Sequence, residues 1–227
     1  TTGTQKAIML SETNMLVGWK GIEERMDRVD ENDVCYTFLP FHHVFANVII
    51  LLYALPIGCQ VYLCSDIKQA RHEMALARPT IIHGVPLFYE RIYNLIPPRV
   101  LAKARRAAVV ARVLHLPLSV RKKVFAALHE ALGGRVAFLI CGGANLNPTI
   151  HQFFNDAGLF IYNAYGSTET AGALCAMTPG STKHASVGRP YDDMEVAILS
   201  PDDEGTGEII ARGPSIFLGY FNNPTEN

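Results

Sequence analysis

Nothing in the chain pairs its cysteines. Cys35, Cys59, Cys64, Cys141 and Cys175 are scattered, odd in number and free of any C-x-x-C spacing. That argues against a disulfide framework or a zinc centre and for reduced, buried thiols in a cytoplasmic setting. Charge is scarce too. Asp, Glu, Lys and Arg make up 18% of residues and leave a formal net charge of −1, so no overall field gathers nucleic acid or an anionic membrane. Long hydrophobic runs are missing. The longest, residues 44–55, stops at Pro56 and is too short to cross a bilayer. The opening Thr1-Thr2-Gly3-Thr4-Gln5-Lys6 has neither an initiator Met nor the apolar stretch of a signal peptide, and the chain reads as a piece of something longer. Two catalytic signatures are also absent. There is no G-x-x-x-x-G-K-[ST] phosphate loop, and Gly166-Ser167-Thr168 lacks the spacing of a G-x-S-x-G elbow, which disfavours a serine hydrolase.

What remains is a sequence of 227 residues with 49% apolar content, enough to bury a core in one large domain or two modest ones. Residues 7–10 read as a strand and 12–30 as a helix, with Met15, Leu16, Trp19, Ile22 and Met26 near helical spacing. Strands are expected at 35–39, 60–64, 80–83 and 135–141, with helices at 44–55, 67–77, 86–96 and 148–156. Such βαβα alternation with short connections predicts an α/β fold, a mostly parallel sheet flanked by helices. Residues 99–132 form a helical insertion, two helices around Pro117. After 185 the short strands 187–189, 195–199 and 207–212 suggest the start of a small antiparallel β subdomain. The expected division is therefore 1–185 and 186–227.

Several stretches carry chemistry. A short strand delivers Tyr165-Gly166-Ser167-Thr168-Glu169, with a flat ring, a close backbone approach, a hydroxyl and a hard oxygen ligand for a cation such as Mg2+. The same residues also suit a capped strand-to-helix turn. The Thr/Gly start with Lys6 suits phosphate through backbone N–H groups and one mobile ammonium, or else is a loose chain end. His42-His43 follows a strand, and a single histidine at a strand's carboxyl end can meet a substrate, although a hydrogen-bonded core histidine reads equally well. Gly142-Gly143-Ala144 would let a flat ligand lie against bare backbone. The insertion gathers Arg99, Lys103, Arg105, Arg106, Arg112, Arg121, Lys122 and Lys123 against Glu130. That pattern suits peripheral contact with a membrane surface or an acidic partner, or a solvated face.

Taken in order, these blocks resemble the adenylate-forming superfamily, and within it the acyl-CoA synthetases acting on long-chain fatty acids. Thr1 to Ala7 is similar to the second half of its phosphate loop, T-S-G-T-T-G-x-P-K-G. Leu39-Pro40-Phe41-His42-His43 is similar to L-P-L-[FY]-H, and Pro79-Thr80 through Val85-Pro86 to P-T-x-x-x-x-V-P. Gly142-Gly143-Ala144 matches G-G-A, Tyr165 to Glu169 matches Y-G-x-T-E, and Gly207-Glu208-Ile209, Gly213 and Gly219-Tyr220 with Pro224 and Thr225 resemble G-E-[IL]…G…G-Y…P-x-x-T.

The resemblance implies that ATP and a fatty acid form an acyl-adenylate, and that coenzyme A then takes the acyl group. It places Thr1, Thr2, Gly3, Thr4 and Lys6 on the β- and γ-phosphates. Gly142, Gly143, Ala144, Asn163, Tyr165 and Gly166 fall around adenine, Thr168 at the α-phosphate, Glu169 on Mg2+, and His43 beside the reacting carboxylate. An apolar cleft near 44–55 and 171–173 would take the acyl chain. The sequence departs from the pattern at Gln5 for Pro, Ala7 for Gly, His42 for an aromatic residue and Leu87 for Arg. Two alternatives follow: a non-catalytic relative that binds nucleotide or acyl chains, and an adenylating enzyme for another carboxylic acid. The family's N-terminal portion and its C-terminal domain with a catalytic lysine are expected outside this chain, which by itself is expected to be nearly inactive.

Overall fold

A computed structural model describes residues 6–25, 29–172, 174–181 and 183–227, the side chains of residues 19 and 49–51 excepted. In chain order it gives β1 (Ile8–Met9), α1 (Glu12–Arg25), β2 (Val34–Thr37), α2 (Val44–Ala46), a π-helical continuation (Asn47–Ala54) and α3 (Leu55–Ile57). There follow β3 (Gln60–Leu63), α4 (Ala70–Ala77), β4 (Ile81–Gly84), α5 (Pro86–Asn94), α6 (Pro98–Val113), α7 (Leu118–Val124), α8 (Ala126–Ala131), β5 (Phe138–Cys141) and α9 (Pro148–Asp156). The last elements are β6 (Ile161–Tyr165), a 3-10 turn (Thr168–Thr170), β7 (Cys175–Ala176), β8 (Arg189–Pro190), β9 (Glu195–Leu199), β10 (Glu208–Arg212) and β11 (Gly219–Tyr220).

The central sheet has seven strands in the order β3-β2-β4-β5-β6-β7-β8. From β3 to β6 neighbouring strands are parallel, while β7 and β8 add antiparallel. Every residue of β2, β4 and β5 is buried, as expected of a parallel sheet covered on both faces. Alternate residues feed separate cores. Tyr36, Ile82 and Leu139 pack towards α4, α5 and α9 with Phe153 and Phe154. Cys35, Ile81 and Phe138 pack with Phe45, Val48 and Tyr53 of the helix that follows β2.

The mostly parallel sheet with flanking helices is the expected one, and β9 and β10 form the separate antiparallel pair expected after 185. Details differ. The strand at 7–10 stays out of the main sheet because it pairs antiparallel with β11. β8 continues the large sheet past residue 185. The insertion contains three helices, since the chain turns again at Phe125. Among the described residues no helix is long and apolar enough to cross a membrane.

Candidate functional site

The parallel strands deliver their carboxyl ends to one edge, where open α/β sheets hold ligands. His43 lies beyond β2, Gly142, Gly143 and Ala144 beyond β5, and Tyr165 at the end of β6. Because Cys141 pairs with Asn163, the glycine segment and Tyr165 emerge on adjacent strands. Gly142 is buried, and a Cβ there would meet Phe45 Cζ at 3.1 Å and the Ala164 carbonyl oxygen at 3.5 Å. Gly143 and Ala144 are exposed. Gly143 has φ of +84°, and a Cβ on it would have only Val85 Cγ1, 3.8 Å away, within reach. Open backbone next to the exposed Tyr165 ring suits a planar, aromatic ligand.

Past Tyr165 the chain folds tightly before returning at β7. The Ser167 N–H donates to Thr170 Oγ1 at 3.0 Å, closing a capping box around Thr168 and Glu169. Ala171 then adopts a left-handed φ of +52° although it is fully buried. For a residue with a Cβ that costs roughly 1–2 kcal/mol, the kind of outlier that gathers at functional sites. Gly172 lays its backbone on the start of α2, where a Cβ would lie 3.5 Å from Phe45 N and Cα. Phe45 thus touches both glycine segments. Two residues earlier, the exposed His43 caps that helix, its Nδ1 accepting the Phe45 N–H at 3.3 Å.

Lys6 arrives from the other side. β1 pairs with β11 through Ile8 and Tyr220; Leu218 N–H donates to the Met9 carbonyl and Phe217 N–H to the Glu169 carbonyl, each at 2.9 Å. Tyr220 consequently stands between the two charged residues. Its hydroxyl donates to Glu169 Oε1 at 2.9 Å, and Lys6 Nζ lies 5.0 Å from its ring centroid. Burial alone would raise the Glu169 carboxyl, but hydrogen bonds from its own backbone, Ser167 and Tyr220, helped by the Lys6 ammonium, hold it below the usual carboxylate range. It is an anion at neutral pH. Lys6 Nζ is 2.6 Å from Glu226 Oε2, an exposed pair. Such pairs contribute under about 1 kcal/mol, so a polyphosphate could take the ammonium at little cost. A cavity of about 240 Å³ opens here, lined by Tyr165, Gly166, Glu169, Ile209 and Phe217.

Lys6, Glu169, Tyr165 and the glycine segment therefore occupy one edge, while His43 stands exposed at the start of α2, two residues before Phe45. Thr1, Thr2, Gly3 and Thr4 lie outside the described residues, as does Ala173. Asn163 is buried, and its amide donates to the Ser186 carbonyl and meets His151 Nδ1, both at 3.3 Å, fixing the loop beneath the edge. Sequence reasoning gave no role to Tyr220 or Glu226, although the Gly219-Tyr220 pair was a usable signal. Among the described residues no three His, Cys, Asp or Glu side chains group as a metal cluster. Glu169 offers a single hard carboxylate, a donor that fits Mg2+ shared with phosphate oxygens better than a protein cage.

The AMP-binding enzyme family model matches residues 1–221. Among curated proteins the chain is 28% identical to mouse (Mus musculus) Long-chain-fatty-acid–CoA ligase 6, covering 98% of this chain and 35% of the relative. It is 30% identical to the peroxisomal Long chain acyl-CoA synthetase 7 of Arabidopsis thaliana, again over 98% of this chain and 35% of the relative. The chain thus spans about a third of the length of these relatives. Among solved structures it is similar to a malonyl-CoA ligase in a ternary product complex with methylmalonyl-CoA and AMP. There the TM-score is 0.74 and the identity 24%, over 99% of this chain and 44% of that one. The o-succinylbenzoate CoA synthetase of Bacillus subtilis, bound to its acyl-adenylate intermediate, gives a TM-score of 0.72 and 18% identity, over 100% and 41%.

Proposed function

The chain belongs to the AMP-binding enzyme family, and from that premise we propose that it carries the nucleotide-binding core of an acid–thiol ligase that activates a fatty acid. In the first half-reaction a carboxylate oxygen attacks the α-phosphorus of ATP and the bond to pyrophosphate breaks, leaving an acyl-adenylate. In the second, the thiol of coenzyme A attacks the acyl carbon, loses its proton and displaces AMP. The observation that carries this reading is the polar chain Lys6–Tyr220–Glu169, set on the same edge as the bare backbone of Gly143 and the Tyr165 ring.

Positioning and charge neutralisation do most of the work in such transfers. Gly142, Gly143, Ala144 and Tyr165 hold the adenine face, with Gly166 leaving room for the nucleotide and buried Asn163 bracing the strand beneath. Lys6, with Thr1 to Thr4, holds the β- and γ-phosphates, and Thr168 donates to the α-phosphate. His43 borders the reacting carboxylate. Mg2+, held by Glu169, would neutralise charge on the phosphate oxygens when bound. The names of the mouse and Arabidopsis relatives favour a fatty acid over the smaller acids of the structural neighbours. Exposed basic residues of α6 and α7 favour peripheral contact with an anionic membrane surface.

The test is exchange of labelled pyrophosphate into ATP by the intact polypeptide that contains this chain, with acids from acetate to palmitate. Exchange that depends on a long-chain acid is expected. Exchange with short or aromatic acids only would make it an adenylating enzyme of another kind. Tight binding of an acyl-adenylate mimic with no exchange under any acid would make it a non-catalytic binder.

A further inference from the structure

A cavity lies on the sheet face opposite Phe45, lined by none of the residues of the reacting edge. It measures about 550 Å³ and is bordered by α4, α5, α6 and α8, within the range of small-molecule sites. Its floor is hydrocarbon and aromatic, with Phe88, Phe125, Leu132 and Phe153 all buried. At its mouth, large apolar side chains stay open to water: Leu95 is 79% exposed and Val124 52% exposed. Exposed apolar surface of this kind marks a binding site.

The charged side chains that line it have one sign. Lys68, Arg71 and Arg91 line the cavity and are exposed, and no acidic side chain lines it. Among the described residues the ion pairs use other cations, so none of these three is paired. An apolar trough rimmed by unpaired cations is complementary to one kind of molecule, a hydrocarbon chain ending in an anion. We infer that this groove binds a long-chain carboxylate as a single amphiphile, at a site separate from the reacting edge. The hydrocarbon lies over Phe125 and Phe153, and the head group meets Arg71, Arg91 or Lys68. The inference does not depend on the proposed reaction, because no residue of the groove belongs to the reacting edge.

The experiment titrates the intact polypeptide with palmitate below its micelle concentration and compares laurate and hexadecyltrimethylammonium. Each buried methylene is worth about 0.8 kcal/mol, or roughly four-fold in affinity, so laurate should bind at least tenfold more weakly. The cationic amphiphile should bind at least tenfold more weakly as well. Ala104→Trp, which fills the groove, should remove one palmitate per chain while leaving pyrophosphate exchange intact. Arg71→Ala combined with Arg91→Ala alters exposed positions only and should weaken that same palmitate by tenfold or more. Equal binding of the anionic and cationic amphiphiles would overturn the inference. So would an unchanged stoichiometry in Ala104→Trp with unchanged affinity in the double arginine variant. Occupation of the groove by another segment of the polypeptide or by a second copy, or sedimentation with phosphatidylserine vesicles without binding of monomeric palmitate, would also overturn it.

Discussion

The two faces of the central sheet are built to opposite specifications. On the face under α1 and the π-helical stretch, backbone meets backbone and little space is left. The cavity there, between Ile22, Phe45, Ile140 and Tyr191, holds only about 30 Å³, and Gly18 and Gly21 let α1 settle closely. On the opposite face aromatic rings stack edge to face, with Tyr93 and Phe153 centroids 5.1 Å apart, yet a groove of about 550 Å³ stays open beside them. Tight packing props the reacting edge, because Phe45, held in that core, is what Gly142 and Gly172 rest against. The looser face has no such duty and can afford a trough. One face should thus be sensitive to added volume and to lost polar contacts, and the other largely indifferent to both.

The largest expected effect is on the reacting edge. Glu169→Gln keeps the shape of the side chain but removes the charge that Ser167, Tyr220 and Lys6 sustain. We expect pyrophosphate exchange by the intact polypeptide to fall about 10³-fold, as when a principal transition-state electrostatic contact is lost. An enzyme that keeps its rate would remove Glu169 from the site.

Packing gives the sharpest contrast between the faces. A Cβ at position 21 would lie 2.2 Å from Tyr191 Cδ2 and within 2.5 Å of two further ring atoms. Overpacking costs about 1–3 kcal/mol, whereas Gly→Ala in a helix returns at most about 1 kcal/mol. The clash dominates, and Gly21→Ala should destabilise by about 2 kcal/mol in urea unfolding. Ala104→Leu, reaching into the groove, should stay within about 0.5 kcal/mol of wild type. If the two substitutions cost the same, the distinction between the faces fails.

A third test uses acid. His83 in β4 is buried, among the described residues its Nδ1 has no hydrogen-bond partner, and burial pushes its pKa down to about 3. The unfolded chain takes this proton near 6.5 and the folded chain only near 3, so between those values the unfolded state binds more protons. The contribution is complete above about pH 6.5 and is lost as pH falls, by up to about 1.4 kcal/mol per unit. Urea midpoints at pH 7, 6 and 5 should fall accordingly, and His83→Leu should flatten the trend. His184, also lowered chiefly by burial, adds to it in the same direction.

Much of this was legible in the sequence, for reasons that differ by region. The parallel strands show as short apolar runs because both faces are covered, and α9 is bounded by Asn147 and Pro148, a cap and a first-turn proline that any reading would find. The edge residues stood out because glycine, threonine and glutamate follow a strand end, although the same pattern equally suits the capped turn that the structure shows there. Less visible was anything made by long-range pairing. That Ile8 lies beside Tyr220 follows from two-residue strands with no local signal, and so the tyrosine linking Lys6 to Glu169 could not be given its place. The groove was hidden for a related cause. Ala104, Arg71 and Phe153 come from three helices, and only the fold makes them neighbours.

The smallest expected effect isolates that long-range link. Tyr220→Phe keeps the ring beneath the Lys6 ammonium and its contact with Phe217, 4.9 Å between centroids, and removes only the hydroxyl that donates to Glu169. The carboxylate should lose part of what holds its pKa down, so the acid limb of the exchange profile should move to higher pH. At neutral pH the rate should fall no more than about tenfold, the scale of one charge-assisted hydrogen bond. Stability should fall by no more than about 1 kcal/mol, the net worth of one hydrogen bond between half-buried groups. A rate loss as large as that of Glu169→Gln would make Tyr220 itself a principal contact with the phosphates. An unshifted acid limb would mean that Ser167 and the backbone alone set the charge of Glu169, and the polar chain would then begin at the turn.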